Sequence, residues 1–217
     1  MQRTRHAPYA QFTIFIMVST FLDSNTFTIL VTIIMLSLGA TILGTLFGVS
    51  KAKEFPPPCV MGDESIMSPK EHGTSATPVQ SNLLYNVDNE LADRICNYNR
   101  HYAENSGYWE DTSFMSDTVD ARSAGKSVIF YDSNTGKPLF EAPKGRTWEE
   151  FLNESYSHGW PSFRDEEVNW DYVRCLGNGE AVSVDGTHLG HNLPDKTGSR
   201  YCINLVSVAG NPTTQIN

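Results

Sequence analysis

Residues 27 to 48, FTILVTIIMLSLGATILGTLFG, carry no charge. At about 1.5 Å of rise per residue, a helix of that length crosses a hydrocarbon core of about 30 Å. The pattern therefore predicts a single-pass transmembrane helix within a membrane anchor at 1–50. The preceding YAQFTIFIMVSTFL is also apolar but is cut off by DSN at 23–25, so it is expected to lie in the membrane interface or to extend a targeting signal. A cleaved secretory signal has an apolar region of about 7 to 15 residues, shorter than this run, which favours an anchor. Lys51 and Lys53 follow the span, and no Lys or Arg lies between residues 7 and 26, which weakly favours a cytosolic domain. Extending the apolar region to 11–48 brings in Arg3 and Arg5 and restores a tie.

After the span the periodicity disappears. Residues 51–80 are rich in Pro, Ser, Gly and charge and read as a flexible linker. Leu83, Val87, Leu91, Ile95 and Tyr98 then recur at intervals of three and four, predicting an amphipathic helix in a helical extension over 81–125. From residue 126 the pattern becomes short apolar runs broken by turn signals: SVIFYDSNTGKPLF, AVSVDG and RYCINLVSVAG. These predict antiparallel strands with hairpin turns at SNTG and VDG, and RTWEEFLNESYS between the first two predicts a short helix. The fold class expected is mainly β over 126–210, with N-terminal helices, a transmembrane segment and a tail at 211–217.

With 40% apolar and 19% charged residues, the chain supports one core of ordinary size plus extensions. The formal net charge of -9, with no basic cluster, excludes the electrostatic footprint of nucleic-acid binding. The four cysteines Cys59, Cys96, Cys175 and Cys202 form no C-x-x-C pair, so zinc-ribbon and thioredoxin signatures are missing. A buried inert thiol is the plain alternative for each.

The chemistry concentrates in GTHLGHNLPDKTGSRYCINLVSVAG, residues 186–210. In an extended strand Arg200, Cys202 and Asn204 share one face, while Tyr201, Ile203 and Leu205 share the other. A neighbouring cation raises the thiolate fraction of a cysteine, so Cys202 is a candidate nucleophile. His188 and His191 suit proton transfer or a structural pair better than a metal, because no further ligands stand at familiar spacing.

HLGH, the following PD, and G-x-RYCIN, with GKPLF and GWPSF upstream, resemble the B-type methionine sulfoxide reductases over residues 126 to 208. Nothing resembles the glycine-cysteine-phenylalanine-tryptophan motif of the A-type enzymes. The resemblance implies two antiparallel sheets in a β-tent, barrel-like domain acting as a peptide-methionine (R)-S-oxide reductase. It implies Cys202 as the attacking thiol, His191 and His188 as proton donors, Trp160 as the wall for the substrate methyl, and Asn204 and Arg200 as pocket residues. A tryptophan beside Pro161 and Phe163 is otherwise a core residue.

The chain also departs from that family. Where many members hold structural zinc with two C-x-x-C pairs, this chain has Asp132, Thr135, Val182 and Asp185, so no zinc or other cofactor is expected. The usual resolving cysteine is replaced by His158, and the loop from His191 to Cys202 is shorter than usual. Recycling then falls to Cys175 in DYVRCLGNG, expected to be a mobile exposed loop, to Cys96, or to an external thiol such as thioredoxin or glutaredoxin. The expected partners are oxidised proteins or peptides, that reductant and a membrane. Two other functions fit the same residues: a non-catalytic β-tent binding module, and a redox sensor at a membrane.

Overall fold

The computed structural model describes residues 54–212. The expected anchor, including the span at 27–48, and residues 213–217 of the tail lie outside the described residues. Among the described residues no helix is long and apolar enough to cross a membrane.

The turn chemistry of SNTG joins β1 (Val128–Tyr131) to β2 (Pro138–Ala142) as an antiparallel hairpin with Phe130 opposite Phe140. The second sheet contains β3 (Ser162–Phe163), β4 (Val173–Cys175), β5 (Glu180–Ser183), β6 (His188–Asn192) and β7 (Tyr201–Ile203), in the spatial order β3-β7-β6-β5-β4. All its neighbours are antiparallel. The two antiparallel sheets expected are present, but they do not close into a barrel. β3 is only two residues long, and the outer edge of β4 is taken by a backbone bridge from Met61 to Cys175, so the sheet ends cannot meet.

Among the described residues there are four short α-helices, besides other helical turns: α1 (Asn89–Asp93), α2 (Phe114–Asp117), α3 (Val119–Ser123) and α4 (Trp148–His158). Thr147 and Glu150 form a capping box at the start of α4, and Gly159, with φ 84, ends it. Phe151 of this helix meets Phe163 of β3, whose ring lies 5.0 Å from Phe130 and 4.4 Å from Phe140. One ring of the GWPSF segment thus joins both sheets and the helix. Edge and offset contacts of this kind add to the area they bury.

The extension and the linker differ from expectation. The amphipathic helix begins at Asn89 rather than Leu83. Asp88 caps it by accepting from the Leu91 amide at 2.9 Å, and Tyr85 and Asn86 just before it take positive φ. Its second half, Arg94–Tyr98, winds as a π-helix. The extra residue per turn rotates Tyr98 off the apolar stripe, and it is 59% exposed. The described part of the linker, residues 54–80, is packed rather than free. Phe55, Cys59, Met67 and Ser75 are buried, the Gln80 amide donates to Ser133 at 2.8 Å, and His72 pairs with Asp93 at 2.8 Å. Its apolar residues have no period because they fill separate recesses instead of one helix face or strand face.

At the positions where the resemblance places zinc thiolates, hydrogen bonds hold the two hairpin turns together. Asp132 is fully buried and accepts from the Asn134 amide at 2.9 Å and the Thr187 hydroxyl at 2.9 and 3.1 Å. Lys137 pairs with Asp185 at 2.8 Å, and Val182 packs with Met67 and Leu176. Among the described residues no group of three or more His, Cys, Asp or Glu could hold a metal ion. Burial pushes the Asp132 carboxyl above its ordinary range, although the Asn134 and Thr187 donors oppose this. Removing such a donor strands a buried acceptor, so Thr187→Val should cost about 1–3 kcal/mol of stability in denaturant unfolding. An unchanged midpoint would show that these bonds do not hold the turns.

Candidate active site

Antiparallel register decides which side chains meet. Glu180 of β5 lies opposite His191 of β6, which lies opposite Cys202 of β7, which lies opposite Ser162 of β3. These residues share one face of the sheet. A register shift between Ala181 and Val182 lets His188 reach Glu180, with Nδ1 2.7 Å from the carboxylate. Gly190 permits the close approach of β6 and β7: its φ is 154, and a Cβ there would lie 2.1 Å from the Cys202 carbonyl oxygen.

Cys202, His188, His191, Trp160 and Asn204 line one cavity of about 260 Å³, whose rim includes Tyr102 and Leu193, 44% and 47% exposed. Trp160 comes from the GWPSF segment, the two histidines from β6, and Cys202 and Asn204 from β7 and the residue just after it, and the fold brings them together. Arg200 is buried behind the cavity rather than lining it, 3.9 Å from Asp195. Among the described residues its Nε and Nη1 have no hydrogen-bond partner. Cys175 lies elsewhere. It is wholly buried in β4, in line with Ala181, Gly190 and Ile203, which occupy the sheet face opposite Cys202. The mobile loop expected around it is instead a paired strand, because LGNG turns the chain only after Cys175. Cys96 is fully buried beside Ser207, away from the cavity, and His158 sits exposed at the end of α4.

Burial outweighs the nearby cation at Cys202. The thiol is pushed above its ordinary value, with Arg200 and the Ser162 hydroxyl working the other way, so it is protonated at neutral pH. The expected influence of Arg200 is present, but desolvation exceeds it. His191 is held below its ordinary value by burial and by His188, which leaves a neutral imidazole across the ladder from that thiol. The His188 and His191 rings are 5.6 Å apart.

Glu180 fixes His188. A carboxylate only accepts, so the hydrogen of this bond sits on Nδ1. Burial raises Glu180, but hydrogen bonds from His188 and from Arg100, 2.6 Å away, outweigh it and hold the carboxyl at about 2. Arg100 also pairs with Glu64 at 2.6 Å.

Glu104 organises the other wall. Its carboxylate accepts from the Leu205 and Val206 amides at 2.8 and 3.1 Å. Its carbonyl accepts from Trp160 Nε1 at 3.1 Å, and its amide donates to Asn204 Oδ1 at 3.2 Å. The Asn204 amide group in turn donates to the Leu189 carbonyl at 3.1 Å. Burial pushes Glu104 up to about 7 despite the two amide donors.

Sequence reasoning missed Glu180, Arg100 and Glu104. Glu180 left one signal, a lone carboxylate opening the apolar strand EAVS. Arg100 and Glu104 left none, since their partners are some 80 and 100 residues away. No protein-family model matches this chain.

The Glu104 carboxyl is raised in the fold from an ordinary 4.5 to about 7. Its contribution to stability is therefore complete below pH 4.5 and is lost as pH rises through 7, by roughly 3 kcal/mol. The stability difference between the native chain and Glu104→Gln should change by that order between pH 4.5 and 8. A constant difference would place the carboxyl in the ordinary range. Arg200→Met should slow alkylation of Cys202 by iodoacetamide at pH 8 severalfold, since it removes the charge that opposes burial. An unchanged rate would mean that Arg200 does not support the thiolate.

Proposed function

We propose that this chain is a peptide-methionine (R)-S-oxide reductase that uses Cys202 as its nucleophile. The observation that carries the reading is the convergence of Cys202, His188, His191, Trp160 and Asn204 on one cavity.

The sulfoxide methyl packs against Trp160 and its oxygen points toward the histidines. As Cys202 Sγ attacks the sulfoxide sulfur, its proton passes to neutral His191. That imidazolium then protonates the sulfoxide oxygen, a transfer worth about 10² to 10⁴ in rate. The hydroxyl then moves from the substrate sulfur to Cys202 Sγ as the new S–S bond breaks, leaving a Cys202 sulfenic acid and releasing the substrate as the thioether. Atoms balance as thiol plus sulfoxide giving sulfenic acid plus thioether. Glu180 holds the His188 ring in place beside His191, and Asn204 bounds the space left for the substrate.

Two equivalents of external thiol close the cycle. The first condenses with the sulfenic acid, releasing water and forming a mixed disulfide, and the second displaces Cys202. Cys175 faces away and Cys96 is enclosed, so we assign this role to thioredoxin or glutaredoxin. Zinc is not part of this reading. The apolar run at 27–48 supports placing the domain at a membrane, where oxidised proteins or peptides are the substrates.

The full chain in detergent should reduce the R but not the S epimer of methionine sulfoxide with dithiothreitol. Cys202→Ser should abolish this, while Cys175→Ala should retain turnover with dithiothreitol and with thioredoxin or glutaredoxin. Equal use of both epimers, or activity surviving in Cys202→Ser, would overturn the reading. Sulfoxide binding without turnover would favour the binding module.

A further inference from the structure

Two of the four cysteines meet on the side of the sheet away from the cavity. Cys59 lies two residues before Met61, whose backbone bridges to Cys175 in parallel. The Cys175 amide donates to the Val60 carbonyl at 2.9 Å, and the Gly62 amide donates to the Cys175 carbonyl at 2.8 Å. This ladder fixes residues 60–62 along the otherwise open edge of β4, with Met61 opposite Cys175; Cys59, two residues earlier, is buried in the same core cluster as Cys175, and each thiol acts on the other's titration. Both are free thiols, 7% and 0% exposed.

The geometry points to Cys59 and Cys175 as a dithiol that a small peroxide converts into a disulfide, fastening the 54–62 segment covalently to the edge of the large sheet. The inference does not rest on the reductase reading, because neither thiol lines the cavity.

The pair is chemically uneven. Cys59 is held below the ordinary thiol value, chiefly by the hydrogen bond from Cys175 and further by Tyr201, against burial and Asp165. Cys175 is raised well above it by the same contact and by burial. Cys59, the slightly exposed member, therefore ionises more readily than Cys175 and is the one that meets the peroxide. Its sulfur displaces hydroxide from the O–O bond and becomes a sulfenic acid. Cys175 gives up its proton and attacks that sulfur, the S–S bond forms, and the hydroxyl leaves as water. Overall, two thiols and one hydrogen peroxide give one disulfide and two waters.

The link closes a loop from residue 59 to residue 175, which restricts the unfolded chain and raises stability. It also removes fraying of the edge cover, the event that would expose the unpaired backbone of β4. Sheet alternation makes the crossed disulfide from Cys175 to Cys202 unfavourable, because those thiols lie on opposite faces.

The test uses the full chain in detergent with Cys202→Ser, so that peroxide chemistry in the cavity is silent. After treatment with hydrogen peroxide, alkylation of the remaining thiols and digestion, mass spectrometry should find a Cys59–Cys175 peptide with Cys96 still alkylated. The melting temperature should rise by several degrees and fall back with dithiothreitol. The link should disappear in both Cys59→Ala and Cys175→Ala, and Cys59→Ala, at the more exposed position, covers the case in which the buried substitution does not fold. Cys59 and Cys175 both remaining alkylatable after denaturation, Cys59 going on to sulfinic acid, or a link made to Cys96 would each overturn the inference. Loss of methionine sulfoxide turnover in the native chain would bear only on the reductase reading.

Discussion

The site depends on one buried carboxylate. Glu104 lies in a loop with no regular structure, yet it accepts from the two amides that follow Asn204 and, through its own backbone, holds both Asn204 and Trp160. Without it, the chain after β7 would carry two unpaired amides in an apolar environment and both cavity walls would lose their reference point. Burial keeps this carboxyl near neutrality in its titration, and its negative charge is one of the influences that raise the Cys202 thiol. The group that builds the cavity therefore also acts on its chemistry.

The period of two in the large sheet separates the remaining functions. Glu180, His191 and Cys202 occupy one face, while Cys175, Ala181, Gly190 and Ile203 follow the line across the other. The 54–62 segment runs along the edge of β4 that carries Cys175. The thiol proposed for attack and the thiol proposed for pairing are thus kept apart within a few strands, with no barrier beyond the pleat itself.

Much of the fold was legible because its signals are local. SNTG and VDG specify hairpins through their turn residues, and Thr147 with Glu150 marks the start of α4. Strand alternation also puts Cys202 and Asn204 on one face, and both line the cavity. What escaped was non-local or aperiodic. The 54–80 stretch has the composition of a tether but buries Phe55 and Met67 singly, and a π-helix turned Tyr98 away from its stripe. Cys175 looked mobile because of the glycines after it, whereas its own backbone is held by Val60 and by β5. Arg100 acts through Glu180, a pairing that neither spacing nor composition encodes.

The most consequential difference concerns charge at Cys202. A strand pattern shows that Arg200 is adjacent but not how much water the thiol has lost, and desolvation is the larger influence. The resting site therefore holds a protonated thiol across from a neutral imidazole, with no net charge between them. Such a pair needs no thiolate stored against burial, because the proton has only to cross between neighbouring strands when an electrophile arrives. In the proposed reaction the same proton is what the sulfoxide oxygen requires, so attack and leaving-group protonation draw on one hydrogen. A thiol held in this way is also slow toward peroxide in the empty cavity, since the thiolate is the reactive form. Peroxide is then directed to the more acidic Cys59, on the face where a second thiol stands ready to resolve it.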